Sequence, residues 1–252
     1  MPAGFFNIAP GVMRPDWDLP AGVGALLTTR EGGQSGGPFA SFNLGAHVGD
    51  DPAAVAANRA RLRTFLPAEP VWLNQVHGAD VADADVCHGV PQADASLSRG
   101  RGRVCAVLTA DCLPVLLCDD DASVVAAVHA GWRGLAAGVL ENTVARMGVP
   151  PQRLRAWLGP AIGPQAFEVG GEVRAAFVAA DPAAATAFVP GAASGKWLAD
   201  LFLLARLRLR AAGVTRVSGG GVCTVAAPRR FYSYRRDGLT GRFASLVWLE
   251  TE

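Results

Sequence analysis

Lysine is nearly missing from this 252-residue chain: every basic residue except Lys196 is an arginine, while alanine and glycine abound. That pattern reads as a compositional bias of the genome, so no arginine gains meaning from its type alone. Net charge is equally scarce. A formal balance of +1 gives no global electrostatic case for a nucleic acid polymer or an anionic membrane surface, and leaves only local basic sites. The cysteines, Cys87, Cys105, Cys112, Cys118 and Cys223, are odd in number and lack the density of a secreted disulfide scaffold, so a reducing cytoplasmic setting is expected. The stretch MPAGFFNIAPGVMRPDWDLP holds no basic segment followed by a long apolar one, and no window reaches membrane-spanning length, so neither export nor insertion is expected. No fixed-period repeat, low-complexity tail or interdomain linker divides the chain. What is present is apolar: half of the residues are hydrophobic, enough to bury a sizeable core in one domain over residues 1–252.

Two apolar runs of strand length, Val104 to Thr109 and Leu113 to Cys118, dominate the centre, with Ala110-Asp111-Cys112 between them. The Asp119-Asp120-Asp121 cluster reads as a solvated hairpin turn, without the spacing of a calcium loop. Val124 to Val128 is a further strand and leads to His129, after which LAAGVLENTVARM predicts one helix from Gly134 to Met147, stopped by Gly148. Upstream, Val23 to Arg30 reads as a strand running into a long Gly/Ser-rich stretch whose Phe39, Phe42 and Leu44 mark a folded loop lining a site. Asp51-Pro52 caps a helix to about Leu66, on which Val55, Leu62 and Leu66 form the inward stripe, with Arg59 in that row and Asn58 beside it. Val71 to Val76 reads as a strand ending at His77, with Gln75 and His77 on one face. PQADASLS predicts a strand edge. Downstream, the pattern gives a strand over Leu154 to Leu158 and helices over Glu172 to Ala180 and Trp197 to Ala212. A strand follows over Val217 to Cys223, and two more flank Asp237-Gly238.

Polar groups with reactive chemistry sit where these strands end. His77, Cys112 and His129 supply two imidazoles and one thiolate, the donor set of a catalytic zinc centre with one open position. The same residues also compose a Cys-His nucleophilic pair, in which histidine lowers the thiol pKa and the thiolate attacks a carbonyl; a hydrolase or amidase would use them so. No C-x-x-C or H-E-x-x-H pattern ties the three together locally, and a closed structural-zinc module would need a fourth ligand such as His47, Cys105 or Cys223. His88 has no such setting. An arginine on an apolar helix face must be paired or face a polar cavity, which makes Arg59 the first candidate for an anion, while Arg133 sits at a helix N-terminus beside His129.

At these residues the chain resembles the YfiH or laccase-domain family, also called the polyphenol oxidase or peptidoglycan editing factor family. The matching pieces are SFNLGAHVGD, NQVHG, ADCLPVLL, HAGWRG, GPAIGP with FEVG, and YSYRRDGLTGR, in the family's order along most of the chain. The resemblance implies an α+β (mixed α/β) fold, layered α/β/β/α with mixed sheets and outer helices. It also implies zinc on His77, Cys112 and His129, and phosphorolysis of adenosine, inosine, guanosine and methylthioadenosine, with adenosine deaminase activity at the same site. Within that chemistry Arg59 is expected to take phosphate, with Arg30, Asn43 and Arg133 as further substrate contacts and Glu168 assisting proton transfer or binding ribose. The alternatives are a Cys-His amidase acting on a peptidoglycan-related substrate, a copper-dependent polyphenol oxidase and a structural-zinc interaction module. Copper is the weaker metal, because a multicopper oxidase needs many histidines in H-x-H pairs and this chain has four and no such pair. Oligomeric state is not legible.

Overall fold

Alternation along the central strands divides their side chains between separate apolar layers. The computed structural model describes residues 4–251 and contains two six-stranded mixed sheets. The first runs in the spatial order β1 (Phe5–Ala9), β2 (Val12–Pro15), β3 (Val23–Thr28), β15 (Phe243–Leu249), β7 (Val104–Thr109), β4 (Pro70–Val71). The second runs β14 (Arg216–Gly219), β10 (Leu154–Leu158), β8 (Leu113–Asp119), β9 (Val125–Ala130), β6 (Ala95–Ser98), β5 (Val81–Asp83). Between them Cys105, Val107 and Val247 meet Leu116, Cys118, Val125, Ala127 and Trp157 in one buried layer.

The other face of each sheet is covered by helices. Val115, Leu117 and Val128 pack against Leu140 and Val144 of α3 (Val139–Met147) and Leu204 and Leu209 of α5 (Leu201–Ala211). On the opposite side Ala106, Leu108 and Leu246 pack against Leu62 of α1 (Pro52–Arg63) and against Phe42 and Leu44 of the loop before it. The layering is therefore α/β/β/α. Strands buried on both faces need no polar alternation, and each enclosed Leu or Val contributes about 1.5–3 kcal/mol, which is why the central strands read as continuous apolar runs. A small antiparallel sheet of β11 (Glu168–Gly170), β13 (Lys196–Ala199) and β12 (Phe188–Pro190) stands beside α4 (Gly171–Ala180). Among the described residues, no helix is long and apolar enough to cross a membrane.

Several local expectations are corrected. The strand expected over Val71 to Val76 stops at Val71, and His77 has φ +61°; Gln75 instead reaches β7 with its side chain, its amide nitrogen donating to the Leu108 carbonyl and its amide oxygen accepting from the Leu108 N–H, both at 2.8 Å. The side-chain amide thus replaces a strand at the β7 edge. The helix expected over Gly134 to Met147 is two, α2 (Trp132–Ala136) and α3, broken where Gly138 takes φ +92°. Trp197 to Ala199 is a strand, because the Asp200 carboxylate accepts from Leu203 N and starts the helix only at Leu201. The strand expected to Cys223 ends at Gly219, where Gly219, Gly220 and Gly221 all adopt positive φ. Before Asp237-Gly238 there is no hairpin strand but a single helical turn, α6 (Tyr234–Asp237), capped by Ser233. β6 is no edge, since β5 and β9 flank it. The three aspartates do close a hairpin, but Asp119 is 1% exposed and accepts from the Ser123 hydroxyl and the Ser123 and Val124 N–H groups, while Asp120 pairs with Arg155 and Arg216.

Candidate functional site

The segment from Ala110 to Cys112 carries the chain from the first sheet to the second, across one end of the sandwich. Asp111 holds this crossing with φ +97°, its carboxylate accepting from Thr224 Oγ1 at 2.5 Å, Ser233 Oγ at 3.0 Å and Arg235 N at 2.6 Å. Both oxygens are thus occupied. Cys112 follows immediately, and the β8–β9 register sets Pro114 opposite His129, which places the thiol and the imidazole on the inter-sheet side of neighbouring strands.

His77 arrives from outside the sheet. Asp94, fully buried at the start of β6, accepts from three successive backbone N–H groups, those of Val76, His77 and Gly78, at 3.2, 2.9 and 2.6 Å. It also accepts from His129 Nδ1 at 2.8 Å, while its carbonyl takes the His129 N–H at 2.7 Å. The result is a cluster of potential ligand atoms from His77, Cys112 and His129 within 4.8 Å of one another, with Cys112 Sγ 3.8 Å from His77 Nε2. A tetrahedral zinc bound by one thiolate and two imidazoles spaces sulfur and nitrogen by about 3.5 Å, so small side-chain adjustments suffice. Gly131 permits this crowding: a Cβ there would lie 3.0 Å from Cys112 Sγ and 3.1 Å from His77 Cδ2. Gly134 does the same for the backbone, since its Cβ would meet the Gly78 carbonyl oxygen at 2.5 Å.

Electrostatics favour the charged forms. Burial alone would raise the Cys112 thiol, but the charge of His129 and hydrogen bonds from both histidines outweigh it and hold the thiol below its ordinary value. Burial would lower His129, and the neighbouring thiolate and Asp94 overcome it in turn. His47 moves the other way, lowered by burial and then by Arg242, Arg59 and His129.

The cluster opens on a cavity of about 440 Å³. Arg133, Arg235 and Arg242 line it together with Trp132, Phe167 and Tyr234, and its one carboxylate is the fully engaged Asp111. The Arg133 guanidinium has no hydrogen-bond partner among the described residues and lies over the Trp132 ring, whereas the Arg235 and Arg242 guanidinium groups spend only Nη1 on backbone carbonyls. The cavity therefore presents cations and aromatic faces beside the two imidazoles and the thiol.

The other sequence candidates lie outside this lining. Arg59 donates Nε and Nη2 to the Leu44 carbonyl at 3.0 and 2.8 Å and covers Trp72, so its partner on the apolar face is backbone and ring. Arg30 binds the carbonyls of Ala40 and Pro228 and lies over Tyr232. Asn43 is buried and spends its amide on Gly45, Asp50 and the Arg242 N–H. Glu168 is exposed on β11. Of the residues considered as a fourth ligand, His47 lines the cavity without joining the cluster, Cys105 is enclosed between the sheets, and Cys223 accepts from Gly163 N at a separate concavity. Sequence reasoning missed Asp94, Arg235 and Arg242. The signal for Asp94 was an aspartate directly before a buried strand, and for Arg242 a basic residue at the mouth of the last one.

The donor set, one soft thiolate and two imidazoles, fits zinc better than a hard cation. Comparison with known proteins identifies the family. A family model described as multi-copper polyphenol oxidoreductase laccase matches residues 24–250. A Pseudomonas aeruginosa protein named purine nucleoside phosphorylase is 60% identical over 238 residues, covering 94% of this chain and 98% of that one. Purine nucleoside phosphorylase YfiH of Escherichia coli is 54% identical over 238 residues, covering 93% and 97%. Among solved structures, a Neisseria meningitidis protein superposes with TM-score 0.91 at 53% identity, covering 96% of this chain and all of the other, and YlmD from Geobacillus stearothermophilus with TM-score 0.92 at 34%, covering 99% and 100%. With a matching family model over nearly its whole length and relatives this similar, the chain belongs to the YfiH, or laccase-domain, family.

Proposed function

We propose that this protein is a zinc-dependent purine nucleoside phosphorylase that cleaves adenosine, inosine, guanosine and methylthioadenosine with phosphate and also deaminates adenosine. The observation that carries the reading is the opening of the His77, Cys112 and His129 cluster onto a cavity lined by three arginines, in a chain similar to proteins named purine nucleoside phosphorylase. A cavity of about 440 Å³ lies within the size range of small-molecule sites. His77, Cys112 and His129 would hold the metal, which supplies an acidified water or a polarised oxygen when bound.

The chain's own residues account for recognition. Phosphate is dianionic near neutrality, and Arg133 with the uncommitted donors of Arg235 and Arg242 offers the charge-assisted hydrogen bonds it needs. Arg242 is held somewhat below the ordinary arginine value, chiefly by burial, so an anion is a favourable neighbour for it. Trp132, Phe167 and Tyr234 give faces for a purine, and Tyr234, 63% exposed at the mouth, is placed to cover a bound base. Asp111, with both oxygens hydrogen-bonded, fixes the wall that carries Cys112.

The test is direct. Protein of measured metal content is incubated with inosine or adenosine, with and without phosphate, beside a Cys112→Ala control. Phosphate-dependent release of free base that vanishes in the variant is expected, and adenosine without phosphate should yield inosine and ammonia. No release from any purine nucleoside by zinc-loaded protein refutes the reading. The lowered thiol beside His77 supports one rival, a Cys-His hydrolase, which predicts a covalent adduct on Cys112 during turnover without metal. A structural-zinc module is disfavoured, because among the described residues the cluster has three members and faces an open cavity. A copper oxidase lacks the histidines for further metal sites.

A further inference from the structure

We propose that Asp94 is the positioning residue of this centre, a single carboxylate that sets both the donor nitrogen of His129 and the turn that carries His77. The inference rests on the metal reading above. Its basis is that the two histidines come from segments with no covalent reason to meet: His129 from the end of a central strand, and His77 from a connection that has left the sheets.

Asp94 joins them through register. It directly precedes β6, whose Ala95 pairs with Val128, so Asp94 lies beside His129 and receives its backbone N–H. Asp94 Oδ1 accepts from His129 Nδ1 at 2.8 Å and from the His77 N–H at 2.9 Å, while Oδ2 accepts from the Gly78 and Val76 N–H groups at 2.6 and 3.2 Å. Four donors converge on two oxygens. A proton held on Nδ1 leaves Nε2 as the nitrogen with a free lone pair, on the side of Cys112 and His77. The same carboxylate gathers three consecutive amides, and so supports His77 at its φ of +61°, a backbone conformation uncommon for a residue other than glycine. Histidine ligands oriented by an outer carboxylate are a general device of metal sites; here one carboxylate serves two ligands.

An asparagine at this position has the same shape and cannot satisfy the four donors. With its NH₂ group at the Oδ2 position, it opposes the Val76 and Gly78 amides. With the NH₂ at the Oδ1 position, it opposes the His77 amide and favours the His129 tautomer that carries its proton on Nε2, facing the thiol. Both arrangements loosen one ligand while preserving side-chain volume.

The experiment uses the full chain. Zinc affinity of the wild type and of Asp94→Asn is measured by competition with a chromophoric chelator, with circular dichroism confirming the fold. Cobalt loaded in place of zinc reports the thiolate-to-metal absorption band. The expected result is a 10–100-fold loss of zinc affinity in Asp94→Asn, with an altered cobalt band. In parallel, ¹⁵N spectra of zinc-loaded wild type labelled at histidine should show His129 protonated at Nδ1 and metal-bound at Nε2. Wild-type zinc affinity and an unchanged band in folded Asp94→Asn overturn the proposal, as does metal on His129 Nδ1. If the variant does not fold, the wild-type spectrum decides. Failure of the wild type to take up zinc overturns the metal reading and this one together, whereas zinc uptake equal in both proteins overturns this one alone.

Discussion

Gly131→Ala should separate the integrity of the site from that of the fold. Gly131 has φ −63° and ψ 156°, a conformation open to any residue, so the added methyl brings no backbone strain. Loss of glycine freedom in the unfolded chain is worth about 0.4–1 kcal/mol in favour of the folded state. Against this stands a contact of 3.0 Å with Cys112 Sγ and 3.1 Å with His77 Cδ2, each tighter than an ordinary van der Waals contact. The two side chains must yield by a few tenths of an ångström, and His77 is exposed enough to do so at low cost. The two effects nearly cancel in stability, and the melting temperature should stay within about 4 °C of the wild type. Activity should not. Misplacement by 1 Å costs on the order of a hundredfold in rate, so a few tenths of that displacement predict a loss of roughly three- to tenfold in kcat/KM for phosphorolysis. Thermal melts monitored by circular dichroism, read beside steady-state kinetics, check both halves. Full activity, or a destabilisation above about 2 kcal/mol, would refute the claim that Gly131 is there to let two ligands approach.

Two further outcomes test the surroundings. Asp119→Ala strands the buried N–H of Val124 and removes the partner of the part-buried Ser123 N–H, and should cost about 1–3 kcal/mol in urea unfolding, with turnover by the surviving folded protein unchanged. Burial opposes ionisation of Asp119, yet hydrogen bonds from Ser123 and Val124 hold its pKa below the ordinary 3.8, so its contribution is present above that value and is lost as pH falls through the lower folded one; the wild type should therefore lose more stability than Asp119→Ala as pH falls below about 4. Arg133→Met and Arg242→Met should each raise the KM for phosphate by roughly 10–100-fold while changing nucleoside binding little, as expected for loss of a charged hydrogen bond, and Arg59→Met should leave that KM near the wild type. Equal effects at Arg59 and Arg133 would displace the anion from the cavity.

Legibility in the sequence followed the range of the interactions involved. The buried strands β7, β8, β9 and β10 were readable because enclosure on both faces imposes apolar runs, and α1 because Asp51 and Pro52 mark its start within the sequence itself. His77, Cys112 and His129 stood out as polar groups with no architectural reason to end such strands. Their convergence was not readable, since it depends on Asp94 bonding to amides 16 to 18 positions away and on the sheet register. Irregular segments were misread for the same reason. Gln75 looked like a strand residue because its side chain does a strand's bonding, and Tyr234 to Asp237 looked like one because the Asp111 carboxylate that organises this helical turn is more than a hundred positions distant.

The arginines show how a correct local rule leads away from the cavity. A cation on the apolar face of α1 needs a partner, and Arg59 has one, but the partner is the Leu44 carbonyl with the Trp72 ring beneath the guanidinium. Arg30 is settled in the same way by Ala40, Pro228 and Tyr232. In a chain with one lysine, arginine does the work of fastening loops to strands, and planar guanidinium suits carbonyl pairs and aromatic faces. Candidates for anion binding are therefore the arginines that line the cavity, and sequence position does not reveal which these are. Arg133 comes from α2, and about a hundred positions later Arg235 comes from α6 and Arg242 from the connection between α6 and β15; they share one wall because the crossing at Asp111 and Cys112 brings the ends of both sheets to the same cavity. The crossing thus organises the His77, Cys112 and His129 cluster and the cationic wall together, and a change that frees Asp111 from Thr224 and Ser233 should disturb both at once.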